Sequence, residues 1–209
     1  METTPLNPWF SMWLHPRRTI RQIVATNPDR LVLLLAAVGG IAEAFANAES
    51  KSTGDKESLM SILLISLILG PIGGIVGLWV GGSLLHWTGG WIGGQAGSRR
   101  IRTALAWSQV PSIWNLLLWI PAILLFGAEL FTKATPVIDA SALLSGLYFG
   151  FSFCSVVIGV WSFVVFLHSL GEVQGFSAWK ALGNTMLAVL AILIPLFAII
   201  GTMIWISRI

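Results

Sequence analysis

The chain has 209 residues, of which 56% are hydrophobic and only 10% charged, with a net charge of +3 and one cysteine. A water-soluble domain carries about 25% charged residues, so this chain has too few polar groups to cover a surface in water. Lipid is the missing solvent, a disulfide framework is excluded, and a modest basic excess in such a chain marks cytoplasmic loops rather than nucleic-acid binding.

The first element is residues 7–23. Pro8, Trp9, Phe10, Trp13, Ile20 and Ile23 are interleaved with His15, Arg17, Arg18 and Arg21, and Pro16 splits the stretch into two short pieces. Indole rings prefer the headgroup level and arginines attract anionic lipid. Residues 1–30 therefore read as a cytoplasmic interfacial segment anchored by Trp9, Trp13, Arg17 and Arg18. The sharper reading is a docking surface for a cytoplasmic partner.

Residues 31–209 read as one membrane domain. Spanning the hydrocarbon takes about 20 helical residues. Five apolar runs qualify: 31–48, 59–85 with a continuation towards 92, 111–126 with help from 104–110, 142–170 and 182–206. The expected fold is all-α, a polytopic bundle of about five transmembrane helices preceded by an amphipathic segment. The first run has some features of a signal peptide, including small residues at 44–48 and Arg17-Arg18 ahead of it. The length of chain before it and the spans after it argue against cleavage.

Charge placement sets the expected orientation. Arg17, Arg18, Arg21, Arg30, Arg99, Arg100, Arg102 and Lys180 fall on one side, and Lys51, Lys56, Lys133 and Arg208 on the other. The positive-inside rule then puts the N-terminus in the cytoplasm and the C-terminus outside, in a cell (inner) membrane.

The second run is rich in glycine. Ser66, Gly70 and Gly74 repeat every four residues, as do Gly73, Gly77 and Gly81. Small-residue stripes let helix backbones approach closely, so both faces are expected to pack, with Gly73, Gly77 and Gly81 against a neighbour. The glycines at 89–97 beside Arg99 and Arg100 do not form a phosphate loop, because the Gly-Lys-Ser/Thr ending is missing. Pro71, Pro121 and Pro195 are expected to kink their helices. Cys154 reads as an inert buried thiol.

Within the apolar zone Glu43 stands alone, about 20 Å from Arg30 at 1.5 Å per residue. A carboxylate there must be paired, protonated or wet. Two readings remain open: a position near the outer headgroups, or a proton- or cation-binding site in a cavity. Asn115 and Asn184 are expected to bond between helices. Three histidines and one cysteine leave no credible metal site, and no cofactor or catalytic motif is evident.

The segment 160–181 is the densest in signal: an apolar run ends in His168, Glu172, Gln174, Gly175, Ser177 and Lys180 before the next begins. This reads as a polar knot at the water face of a helical hairpin. Glu172 is expected to bind backbone amides or a basic group, with Arg99, Arg100 and Arg102 on the same face, tying the last two spans to the second–third loop.

The arrangement Trp161-Ser162, then Glu172, Gln174-Gly175, Ser177 and Lys180-Ala181, resembles the corresponding turn of the Yip1 domain family. Asn7-Pro8-Trp9, Trp13 and Pro16-Arg17 resemble the start of its bacterial members. Gly93-Gly94, Gly97-Ser98 and then Ala104, Ser108 and Pro111 are similar to its second–third span turn. The resemblance implies a five-span helical domain with a cytoplasmic N-terminus. Eukaryotic relatives are implicated in vesicle traffic and bind small GTPases through a long N-terminal region, which residues 1–30 do not match. The short form looks prokaryotic.

The functional expectation is a non-catalytic integral membrane protein acting as scaffold or adaptor through its basic, Trp-rich cytoplasmic face. The alternative is a small transporter or channel using Glu43 and Glu172. Expected partners are membrane lipids, another membrane or cytoplasmic protein, and a second copy of the chain.

Overall fold

The computed structural model describes residues 5–206, and among these all regular structure is helical. Arg208, counted above in the charge balance, lies outside the described residues. Two short helices, α1 (Pro8–Leu14) and α2 (Pro16–Thr26), precede the spans. Asn7 caps α1 by accepting from the Trp9 amide at 3.2 Å, and Pro16 forces the break because it cannot continue a helix it would enter from within.

Then come α3 (Val32–Ser50), α4 (Leu59–Trp91), α5 (Ser98–Ser108), α6 (Val110–Phe126), the single turn α7 (Pro136–Asp139), α8 (Ala142–Gln174) and α9 (Ala178–Ile206). Five segments are long and apolar enough to cross a membrane: α3, α4, α5 with α6, α8 and α9. The third span thus begins at Ser98, well before the apolar run at 111, because Pro111 falls in the first turn of α6 and only a slight break separates it from α5. Pro71, Pro121 and Pro195 lie inside α4, α6 and α9, each of which continues through its proline.

Chain order and antiparallel packing put α1, α2, both ends of the α4–α5 turn and the α8–α9 turn at one end, which carries most arginines. The α3–α4 loop and α7 lie at the other end. α3 and α4 make the most extensive helix contact, and α8 packs against α2, α5, α6 and α9. Three apolar clusters fill the interior: a small one around Leu85, Ile101, Leu170 and Ala181, and two larger ones that divide it by depth. Towards the basic end, Met12, Ile20 and Ile23 join Leu35, Trp107, Val110 and Val165. Towards the opposite end, Phe45 and Ile62 join Trp119, Phe126, Leu130 and Phe131. The N-terminal helices therefore share a core with the spans. By contrast, the described side chains of α9 beyond Ala188 are exposed apart from the half-buried Ala191, the surface expected of a helix bathed in lipid.

Only one of the two glycine stripes is packed. A Cβ on Gly40, Gly70 or Gly74 would run into the backbone of the facing helix, so α3 and α4 meet at van der Waals distance along Gly40, Gly70 and Gly74. Gly73, Gly77 and Gly81, expected to face a neighbour, have nothing within 4 Å of their Cβ positions. The cause is simple: α3 covers the adjacent face of α4, and no helix among the described residues packs closely on this one. Cys154 is likewise exposed rather than buried, because α8 turns that face outward.

Gly40→Ala and Gly74→Ala are each expected to lower stability by about 1–3 kcal/mol, the usual cost of forcing volume into a closed contact. Gly77→Ala is expected to be neutral or slightly stabilising, since alanine is the better helix former. Thermal unfolding in detergent distinguishes the two stripes. A Gly77→Ala variant as damaged as Gly74→Ala would show that this face is packed after all.

Candidate functional site

Of the polar residues at the end of α8, Gln174, not Glu172, joins the spans. Gln174 closes α8 with its side chain 1% exposed. Its Nε2 donates to the Leu85 carbonyl of α4 at 3.1 Å, and its Oε1 accepts from the Ala96 amide at 3.3 Å. Asn184 of α9 donates to the same Leu85 carbonyl at 3.1 Å and accepts from the Thr88 hydroxyl at 2.7 Å. Three spans and one loop thus meet in a network with no water-exposed member. Gly89 and Gly94 exist beside it because a Cβ on either would overlap the Gln174 carboxamide. Gly175 then turns the chain at φ +73°, a left-handed conformation that only glycine adopts freely, and the Phe176 amide donates back to the Gly171 carbonyl at 2.6 Å. Ser177 Oγ accepts from the Lys180 amide at 3.2 Å, capping α9.

Glu172 faces the N-terminal helix. Arg21 Nε donates to its carboxylate at 2.7 Å, and Arg17 lies 3.6 Å from it while also donating to the Phe176 carbonyl at 3.2 Å. The expected tie to the second–third loop is therefore corrected: Arg99 bonds Asp29, and Arg102 lies over the Trp79 ring at 4.0 Å, in space that a side chain on Gly82 would fill. Arg100 is exposed. His168 sits against the Val164 carbonyl of its own helix at 3.0 Å, and the Lys180 ammonium lies 4.6 Å over the Phe176 ring. Neither meets Glu172.

Trp9 and Trp13 are docked rather than free. Trp9 packs edge-on to Trp107, and the Trp13 carbonyl accepts from Trp161 Nε1 at 3.0 Å. Arg18 is exposed. The 27–31 linker is stitched to α5: Thr103 donates to the Pro28 carbonyl at 2.6 Å, and Trp107 Nε1 to the Arg30 carbonyl at 3.2 Å. Arg99 holds the Asp29 carboxyl below the usual carboxylate range.

Glu43 projects from α3 towards three adjoining clefts. One lies beside α4 along Asn47, Gly70 and Gly73, a second reaches Gly77 and Gln109, and a third of about 390 Å³ lies between α3, α6 and α8. Sequence reasoning singled out Glu43 but missed Gln109, Ser112 and Ser155, which share the third cleft. Isolated polar residues at a helix junction or in separate runs give no signal of their convergence.

Five lipid-length helices, welded at one end by a buried amide network and a docked N-terminal segment, define a compact polytopic membrane domain. The family model described as Yip1 domain matches residues 10–200. The chain belongs to the Yip1 domain family. Comparison with curated proteins gave no match, and neither did comparison with solved structures.

Gln174→Leu strands the Ala96 amide and weakens the hold on Leu85, so it is expected to cost about 1–3 kcal/mol. Glu172→Gln is expected to cost about 1 kcal/mol or less, because both of its arginine partners remain open to solvent. Thermal melts of the two variants should rank in that order; the reverse order would give Glu172 the central structural role. The Asp29–Arg99 pair predicts a pH effect of definite sign. A carboxyl depressed in the folded state contributes stability above its unfolded pKa, about 3.9, and loses it as pH falls through the lower folded value. Acid melting curves of Asp29→Asn should therefore be flatter than those of the unaltered protein, and parallel curves would remove this pair from the acid response.

Proposed function

We propose that the protein is a non-catalytic scaffold or adaptor of the cell membrane, with its N-terminus in the cytoplasm, its C-terminus outside and its basic end presented to an acidic partner. The observation that carries this reading is the division of labour among the cations at that end. Arg17, Arg21 and Arg99 are engaged in internal ion pairs. Arg18, Arg100 and Lys180 remain exposed around them on α2, α5 and α9. Leu14 and Trp179 add apolar surface, 76% and 82% exposed. A rigid frame with outward arginines and an indole is the kind of surface that supplies binding hot spots, and anionic lipid concentrates at the same face.

A second reading, passage of an ion or small solute, is favoured by the clefts that meet at Glu43. Glu172 adds nothing to it, being held by two arginines at the basic end.

Topology is tested in a Cys154→Ser background. Ser52→Cys is expected to react with an impermeant thiol reagent from outside the cell, and Gly97→Cys only after the membrane is opened. Labelling of both from one side would overturn the orientation. For the scaffold, a photo-cross-linking residue at Arg18 or Arg100 is expected to give discrete protein adducts in native membranes. Val137, exposed at the opposite end, should not. Charge reversal at Arg18 and Arg100 should abolish the adducts without lowering thermal stability. Adducts no different from those at Val137 would sink the reading.

A further inference from the structure

Between the two larger apolar clusters lies a polar layer at mid-depth. On α3 it contains Glu43, flanked by Leu35 of one cluster and Phe45 of the other. On the third span it contains Gln109, Ser112 and Asn115, between Val110 and Trp119 of the same two clusters. On α8 it contains Ser155, which donates to Asn115 Oδ1 at 3.4 Å. These five side chains line one cleft of about 390 Å³. Gln109 is pressed against α3, lying 3.1 Å from where a Cβ on Gly39 would be.

Among the described residues the Glu43 carboxylate has no hydrogen-bond or ion-pair partner; only its backbone carbonyl is used, by Asn47. The described arginines and lysines sit towards the two ends of the bundle. An ionised carboxylate in hydrocarbon needs a countercharge or water, and ionisable groups within spans face cavities for this reason. No side chain among the described residues supplies the countercharge, while the neighbouring groups supply neutral oxygens.

We propose that the cleft between α3, α6 and α8 is a binding site for a monovalent cation, an alkali ion or a primary ammonium group, held by Glu43 with the oxygens of Ser112, Asn115 and Ser155, while Gln109 closes the cleft against α3. One carboxylate among neutral oxygens balances a single positive charge. A divalent ion calls for more carboxylate ligands, and the nearest candidate, Glu49, is six residues along α3, about 9 Å of helix rise away. Glu49 lines the same cleft towards the opposite end, where its charge raises the local concentration of cations. This site needs neither the scaffold nor the transport reading: a resident ion can be purely structural.

The test is thermal unfolding of the full-length protein in detergent, followed by its tryptophan fluorescence, at constant ionic strength. Sodium, potassium or ethylammonium chloride replaces a bulky quaternary ammonium chloride. A ligand bound only by the folded state raises the melting temperature saturably, and a saturable rise of a few degrees is expected. Glu43→Gln should abolish it, Asn115→Leu should abolish or weaken it by filling the cleft, and Glu57→Gln in the α3–α4 loop should leave it intact. Asn115→Leu serves alone if Glu43→Gln does not fold. A rise with sodium or potassium but not ethylammonium supports an alkali-ion site, and the converse supports an ammonium site. No rise with any cation, the same rise in both cleft variants, or stabilisation by acid alone would overturn the proposal.

Discussion

The carboxamide of Gln174 is the constraint on which the basic end of the bundle depends. A polar side chain this deeply buried must find partners for both its donor and its acceptor, and Gln174 finds them on α4 and on the loop that leads to α5. Asn184 uses the same carbonyl from α9. The amide thereby sets where three spans end relative to one another, and it leaves no room for side chains at Gly89 and Gly94. The turn at Gly175 follows at once, so the Glu172 carboxylate emerges on the far side of α8 from the network. There it meets α2 instead of the second–third loop.

That placement recruits the N-terminal segment. Arg17 and Arg21 fix α2 to the end of α8 from outside, while Ile20 and Ile23 on its other face complete an apolar cluster with Trp107 and Val165. An amphipathic stretch that could lie free at the headgroups is held by packing and charge together. The exposed arginines are displayed from fixed positions rather than from a flexible tail, which is what a docking surface requires if ordering is not to cost binding energy.

Depth organises the rest. The two larger apolar clusters fill the bundle towards its ends, and α3 and α4 close one seam through glycine contact. The middle, where α3 faces α6 and α8, is lined with polar side chains around Glu43. A bundle seeking only stability would fill this layer with leucine, since helix association in lipid rests on packing. Family membership accounts for the architecture and not for this layer's chemistry.

Composition and run length alone determined that the chain is a five-span helical membrane protein, because lipid demands long apolar helices and leaves few alternatives. The knot at 168–180 and the solitary Glu43 were also legible, since a polar residue stands out against an apolar background. What could not be read was direction. Glu172 and Gln174 are two residues apart, and which one turns inward depends on where α4 and α2 lie. The stripes Ser66-Gly70-Gly74 and Gly73-Gly77-Gly81 have the same spacing, and only the placement of α3 decides which is packed. Gln109, Ser112 and Ser155 give no signal in their own runs, Asn115 reads only as a residue that bonds between helices, and the four become a site only beside Glu43. Pattern along one helix specifies its faces, whereas the assignment of each face to a neighbour, a cleft or lipid is a property of the assembled bundle.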